Sequence, residues 1–191
     1  MPRPNVREQI VDAGFAAFYG KGFNGSSVQD ITAAAGVPKG SFYNHFESKE
    51  TLGADIVDRY DASNTLLAIL ADATVPALER LRAYYDGLAA NLESGDCARG
   101  CLLGNFSAEV ADHSPLIRGR LKGVFARWTG ALESAIRDGQ LDGSIPGDVD
   151  AATLATVLLD AFEGAMLRAR VERRSEPFAR FMTVAFEKIL C

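Results

Sequence analysis

Cysteine, histidine and tryptophan are all scarce in this chain: three, two and one among 191 residues. A small, odd number of cysteines argues against a disulfide framework and for a reducing compartment, so a cytoplasmic location is expected. Two histidines with no close Cys/His spacing leave no basis for a zinc site, and no metal or other cofactor is expected. No apolar run approaches the roughly 18 residues of a membrane helix, and no export signal opens the chain, so no membrane partner is expected. Basic charge is also in short supply. Twenty Lys and Arg face 25 Asp and Glu, for a net charge of −5 and a pI near 5.1. That weighs against diffuse, charge-driven nucleic-acid binding but not against a small, locally arranged contact surface. The deficit is uneven: residues 1–50 hold five basic and five acidic residues, so the remainder carries all of the net charge.

What is present is ordinary globular material, 48% apolar and 24% charged, enough for one medium domain or two small ones. The periodicity is helical throughout, and the expected fold class is all-α. A first helix reads from about Val6 to Lys21, with Val6, Ile10, Ala13, Ala17 and Phe18 on one face. Pro4 and Asn5 are its start signals. Gly22 suits its end, with Phe23 folding back on Phe18. A second helix starts at Ser26 or Ser27, where Ser26 and Gln29 fit a capping box, and Gly36 breaks it. A third, short helix runs from Pro38 to about Phe46. It turns Phe42 and Phe46 inward and leaves Lys39, Ser41, Tyr43, Asn44 and His45 off that stripe. Ser48 caps a fourth. Two helices joined by Ala-Gly-Val, the second short and polar-faced, read as a helix-turn-helix or as a plain three-helix packing unit.

The residues themselves carry a more specific signal. The run from Ile10 through Lys21-Gly22-Phe23, Ser26-Ser27-Val28-Gln29-Asp30-Ile31, Ala34-Ala35-Gly36-Val37 and Lys39-Gly40-Ser41-Phe42-Tyr43-Asn44-His45-Phe46 to Leu52 resembles the DNA-binding domain of the TetR/AcrR family of bacterial repressors. The match is continuous over about fifty residues. The resemblance implies a DNA-binding domain over residues 1–50 and a helical effector-binding and dimerisation domain over 51–191. It also implies that the Pro38–Phe46 helix enters the major groove of double-stranded DNA. Ser41 and Asn44 are then candidates for base edges, an Asn being able to pair bidentately with adenine. Tyr43, His45 and Lys49 match phosphate-contacting positions. Lys39 can reach a base or a phosphate, and Gly40 allows close approach to the backbone. Ser26 and Ser27 offer hydroxyls to a phosphate or serve as caps. Asn44 stands where the family often has His, which leaves the base preference open.

Beyond Leu52 the reading stays helical. One long helix is expected from Ser48 toward Ala71, another from Pro76, a short apolar one over Cys101–Val110, and one over Leu116–Ile136 ending in an Asp138–Gly143 loop. Two more follow at about Asp150–Arg170 and Pro177–Leu190. These last two are apolar on more than one face. That fits either a thick core or, as the resemblance implies, a two-fold homodimer interface and hence a palindromic operator. The resemblance further implies a small-molecule effector that releases the DNA. Candidate lining residues are Tyr84, Tyr85, Leu88, Leu102, Phe106, Phe125, Trp128 and Phe162, or these are simply core. Cys101 sits at a helix start two residues after Arg99, a setting that lowers a thiol pKa if both act on it. Its segment is similar to the Gly-Cys-Leu segment of NemR-like and AcuR-like members, which implies an alternative input by electrophile modification of Cys101. The other reading of Cys101 is a small buried hydrophobe. Asn105 and Glu109 share a helical face with it and are candidates for a polar end of the pocket. No nucleophile–base–orienter set or phosphate-cradling loop is present, so no enzyme is expected.

Overall fold

The computed structural model describes residues 5–191, so Pro4 lies outside it. The fold is all-helical, 73% helix. Its elements are α1 (Val6–Lys21), α2 (Val28–Ala34), α3 (Lys39–Tyr43), α4 (Lys49–Ala62), α5 (Leu67–Ala71), α6 (Ala77–Glu93), α7 (Leu102–Glu109), α8 (Pro115–Asp142), α9 (Ala151–Glu172) and α10 (Glu176–Val184), the last continuing into a π-helical turn, Ala185–Ile189. The chain divides into two compact units. The first is residues up to Ser63 with Leu102–Val124; the second is Asn64–Cys101 with Phe125–Cys191. The first unit therefore takes in more than residues 1–50: α4, α7 and the first part of α8 belong to it as well.

Local chemistry explains the first unit. Asn5 caps α1 by accepting from the Arg7 backbone N–H. Gly22 ends the helix at φ 80°, a conformation that favours glycine, and its N–H returns to the Phe18 carbonyl. The Phe18 and Phe23 rings then meet at 5.1 Å. The buried face of α1 is Ile10, Val11, Gly14 and Phe18; Val6, Ala13 and Ala17 are only half-buried, so the inner stripe is rotated from the expected one. The capping box of α2 also differs by one position. Ser27 is the N-cap and Asp30 the returning residue, because the Ser26 hydroxyl is turned inward onto the Gly22 carbonyl at 2.9 Å. Phe42 and Phe46 are both buried, with rings 5.5 Å apart. Pro38 precedes α3 as its N-cap, and the helix is one short stretch ending at Tyr43. Ion pairs of Arg7 with Asp55 and of Arg59 with Asp12 join α1 to α4.

Two expected boundaries move. The helix from Ser48 stops at Ala62, where the Ser63 hydroxyl bonds the Tyr60 carbonyl and competes with the helical ladder; α5 then forms separately. Conversely, α8 runs on through the expected loop to Asp142. Asp138 is held there by the buried Arg80 of α6 at 2.8 Å, while Arg80 also donates to the Leu70 carbonyl at 2.7 Å. Neither tie is visible in the local pattern, because Arg80 and Asp138 are 58 residues apart. The centre of the second unit is aromatic. Tyr85 lies 5.1 Å from Phe162 and 4.8 Å from Phe181, and Phe162 stacks on Phe178 at 5.5 Å.

Candidate nucleic-acid interface and ligand-binding core

In the first unit α3 buries one side chain, Phe42, and presents the others. Lys39, Gly40, Asn44 and His45 are exposed, Ser41 is half-buried, and Tyr43 is 56% exposed, its ring edge-on to Phe42 at 5.3 Å. A Cβ built at Gly40 would meet nothing within 4 Å, so no internal packing requires glycine there. Ser27 is exposed at the start of α2, its hydroxyl donating to Asp30 at 2.7 Å. The result is one continuous polar surface of donors, a phenol and an amide, on a helix whose apolar side is anchored.

Two expected phosphate contacts are engaged inside the unit instead. Ser26 is 1% exposed, with its hydroxyl on Gly22. Lys49 turns its ammonium back onto the α1–α2 turn, donating to the carbonyls of Phe23 at 3.0 Å and Ser26 at 3.1 Å and lying 4.2 Å from the centre of the Phe23 ring. A cation over a ring with two carbonyl acceptors is satisfied without DNA. The same turn is gripped from α7. Glu109 accepts from the Asn24 backbone N–H at 3.0 Å, and its carbonyl accepts from the Asn24 amide at 3.1 Å. Glu109 is therefore a clasp on the turn rather than a lining group. Phe106 likewise packs edge-on against Phe18 and Phe23 in the first unit's core, at 5.7 and 5.5 Å. Leu102 and Asn105 are buried in that unit too.

The remaining candidates lie in the second unit. Tyr84, Tyr85 and Phe162 are buried, Leu88 is half-buried, and Phe125 meets Trp128 edge-on at 6.4 Å. The buried Tyr84 and Tyr85 hydroxyls have no hydrogen-bond partner, nor does Oε1 of Glu163. Asn64 lies beside the Tyr84 hydroxyl, at a geometry short of a hydrogen bond. Burial pushes the Glu163 carboxyl up to about 7, against which the Cys101 thiol, donating to it, pulls down; Asp160 adds to the rise. Burial likewise raises Tyr84 and Tyr85 well above the ordinary phenol. Glu163 and Asn64 were missed by sequence reading. Both fall outside the aromatic stripe, and only the fold brings them to Cys101 and Tyr84. Cys101 is 6% exposed. A carboxyl, which the sequence had not suggested, is thus a neighbour of the thiol. Cys97 and Cys101 are both free thiols. No group of three or more His, Cys, Asp or Glu among the described residues is arranged to hold a metal, and no helix there is long and apolar enough to cross a membrane.

A short polar-faced helix set on a three-helix base, followed by a larger helical unit with a buried polar core, defines a DNA-binding transcriptional regulator of the helix-turn-helix class. Comparison with known proteins places it further. Residues 10–56 match the model of bacterial regulatory proteins of the tetR family, and residues 77–185 match a tetracyclin repressor-like C-terminal domain. The chain belongs to the TetR family. It is 42% identical over its whole length to the transcriptional repressor DhaR of Mycobacterium sp. strain GP1, covering 95% of that protein. It is 31% identical to the regulator AcuR of Cereibacter sphaeroides, over 92% of this chain and 81% of that one. Among solved structures, reduced Escherichia coli NemR superposes with a TM-score of 0.88 at 28% identity, covering 97% of each chain.

Proposed function

We propose that this TetR-family regulator is a homodimeric cytoplasmic repressor that binds a palindromic operator and is released by a small-molecule effector. Residues 1–50 read DNA, and residues 51–191 bind the effector and dimerise. The observation that carries the reading is the α3 surface. Lys39, Gly40, Tyr43, Asn44 and His45 stand exposed together while Phe42 and Phe46 anchor the segment beneath. In this reading Asn44 and Ser41 meet base edges, Tyr43, His45 and Ser27 meet phosphates, and Lys39 meets either. Lys49 and Ser26 hold the turn that positions them. The repressor names of DhaR and NemR support the direction of control.

The dimer reading is supported by α9. Val157, Ala161, Gly164, Arg168 and Val171 recur at alternating spacings of four and three, all of them exposed in the single chain. Val157 and Val171 are 46% and 81% exposed, and a Cβ at Gly164 would meet nothing within 4 Å. A stripe of small and apolar residues, with Gly164 at its centre and Arg168 its one charge, suits close packing against a second copy. A two-fold dimer places two α3 helices roughly one DNA turn, about 34 Å, apart. Tyr84, Tyr85, Phe162 and Cys101 line the effector site, with Leu88, Phe125 and Trp128 as its further walls. A switch by covalent modification of Cys101 is the second reading; the thiol is buried at 6% exposure, which restricts an electrophile's access, so reversible binding is the better supported input.

Fluorescence anisotropy on DNA from upstream of the protein's own gene tests the reading. Saturable binding that survives competitor DNA and is weakened by Asn44→Ala is expected. Equal affinity for unrelated DNA would overturn it.

A further inference from the structure

Two buried polar groups of the second unit, the Tyr84 hydroxyl and the Glu163 carboxyl, lack a complete set of partners, and the Cys101 thiol adjoins them. The Tyr84 hydroxyl of α6 is fully buried and unbonded. The Glu163 carboxyl of α9 accepts from the Cys101 thiol, and its Oε1 is unbonded. Glu163 and Cys101 both lie near enough to act on the Tyr84 hydroxyl. Buried hydroxyls and carboxyls are ordinarily hydrogen-bonded, and leaving several without partners in one place is costly to the fold. Aromatic surface adjoins them: Tyr84 and Tyr85 are 5.2 Å apart, and Phe162 is the neighbour of Glu163 in sequence and lies 5.1 Å from Tyr85.

We propose that this cluster is the polar end of the effector site, and that the effector is an uncharged small molecule whose hydrogen-bond-accepting oxygen sits between the Tyr84 hydroxyl and Oε1 of Glu163; this rests on the effector-released reading above. The chemistry follows from what the cluster can donate. The thiol occupies one carboxyl oxygen, so a proton on Glu163 resides on the free one and makes it a donor. The Tyr84 hydroxyl is a second donor. Two converging donors suit a carbonyl, amide or alcohol oxygen, and the aromatic rings suit a short apolar tail. The groups acting on the charge of Glu163 are the Cys101 thiol and Asp160 of the same helix, and those acting on Tyr84 are Asn64, Cys101 and Glu163. None is a cation, so a ligand carboxylate would be buried unpaired, which is strongly unfavourable. An ammonium ligand would require the ionised carboxyl, which is the minority form below about pH 7, so amines are compared with amides at pH 6.

Calorimetry on the full-length protein with primary amides of three to six carbons, beside the matched carboxylates and amines, tests the proposal. The amides are expected to bind, with carboxylates and amines at least about tenfold weaker. Tyr84→Phe is expected to lower amide affinity by about tenfold, the weight of one buried hydrogen bond. The same change should leave the melting temperature equal or higher, because the hydroxyl has no internal partner to lose. Glu163→Gln, which keeps a donor, should retain binding and abolish its decline between pH 6 and pH 8.5. Tighter binding of the amine or carboxylate, no binding of any amide, or equal affinity in Tyr84→Phe would overturn the proposal. So would an amide-soaked crystal in which only an ordered water joins Tyr84 to Glu163. Operator binding without ligand is measured separately. Amide binding without operator binding sinks the repressor reading and leaves the ligand class standing, and operator binding without amide binding does the reverse.

Discussion

Tyr43 and Tyr84 are the same residue in opposite situations. On α3 the phenol is more than half exposed and rests its ring edge on Phe42. On α6 the ring is wholly buried and the hydroxyl has no partner. An exposed phenol bonds water until something large and flat displaces it, so it suits a macromolecular surface and carries little stability. A buried, unbonded phenol is a standing destabilisation that a small molecule can relieve, so it suits a ligand that enters. The two units divide along this line: the first sets a polar α3 face over an apolar anchor, and the second keeps buried polar atoms of Tyr84, Tyr85 and Glu163 without partners. In the proposed dimer, a reading surface of few cations is doubled by a second copy packed on α9.

Four experiments would break or sharpen the contrast. The largest effect is expected from Gly164→Glu. It places a charge in the α9 stripe, should give a monomer by light scattering, and should reduce operator affinity by roughly 10²–10⁴, the gain that linking two half-sites supplies. An unchanged dimer would move the interface elsewhere. Next is the pH dependence of stability. The folded protein holds the Glu163 proton up to about 7, whereas an ordinary glutamate releases it near 4.5. The folded state therefore binds more protons between those values, and stability falls as pH rises through that window. Glu163→Gln should remove this component, gaining up to about 3 kcal/mol over the wild type at pH 8 relative to pH 4.5 in denaturant melts. Operator affinity at a fixed pH should not change. Lys49→Ala comes third. Losing two charge-assisted hydrogen bonds and the contact on Phe23 should destabilise the first unit by about 1–3 kcal/mol, with weaker operator binding following from the loosened turn. An unchanged melting temperature with lost DNA affinity would restore Lys49 as a phosphate contact. The smallest is Tyr43→Phe, expected to weaken operator binding by about 1 kcal/mol or less without altering stability, the mirror image of Tyr84→Phe.

Much of the first unit was legible in residue order. The α1 bounds, the Gly22 end with its Phe18–Phe23 contact, the paired Phe42 and Phe46 and the polar α3 face all follow from short-range periodicity and turn chemistry. What misled was also local. Ser26 and Ser27 are equally good caps on paper, and only the nearby Gly22 carbonyl decides which one turns inward. Lys49 carries the pattern of a DNA contact, but its ammonium finds two carbonyls 23 and 26 residues back. In the second unit the aromatic residues were visible as a stripe. Of the polar residues beside them Cys101 stood out, but Asn64 and Glu163 did not, because they share no period with it or with the aromatic stripe.

Sequence alone was sufficient for the helical class, the short polar-faced third helix and the membership of a regulator family, because capping, amphipathic spacing and the contacts of a short domain act over a few residues. Tertiary structure alone decided which cations are free, where α8 ends, and which carboxyl meets the cysteine. Those outcomes depend on side chains brought together from distant helices and on the water excluded when they meet.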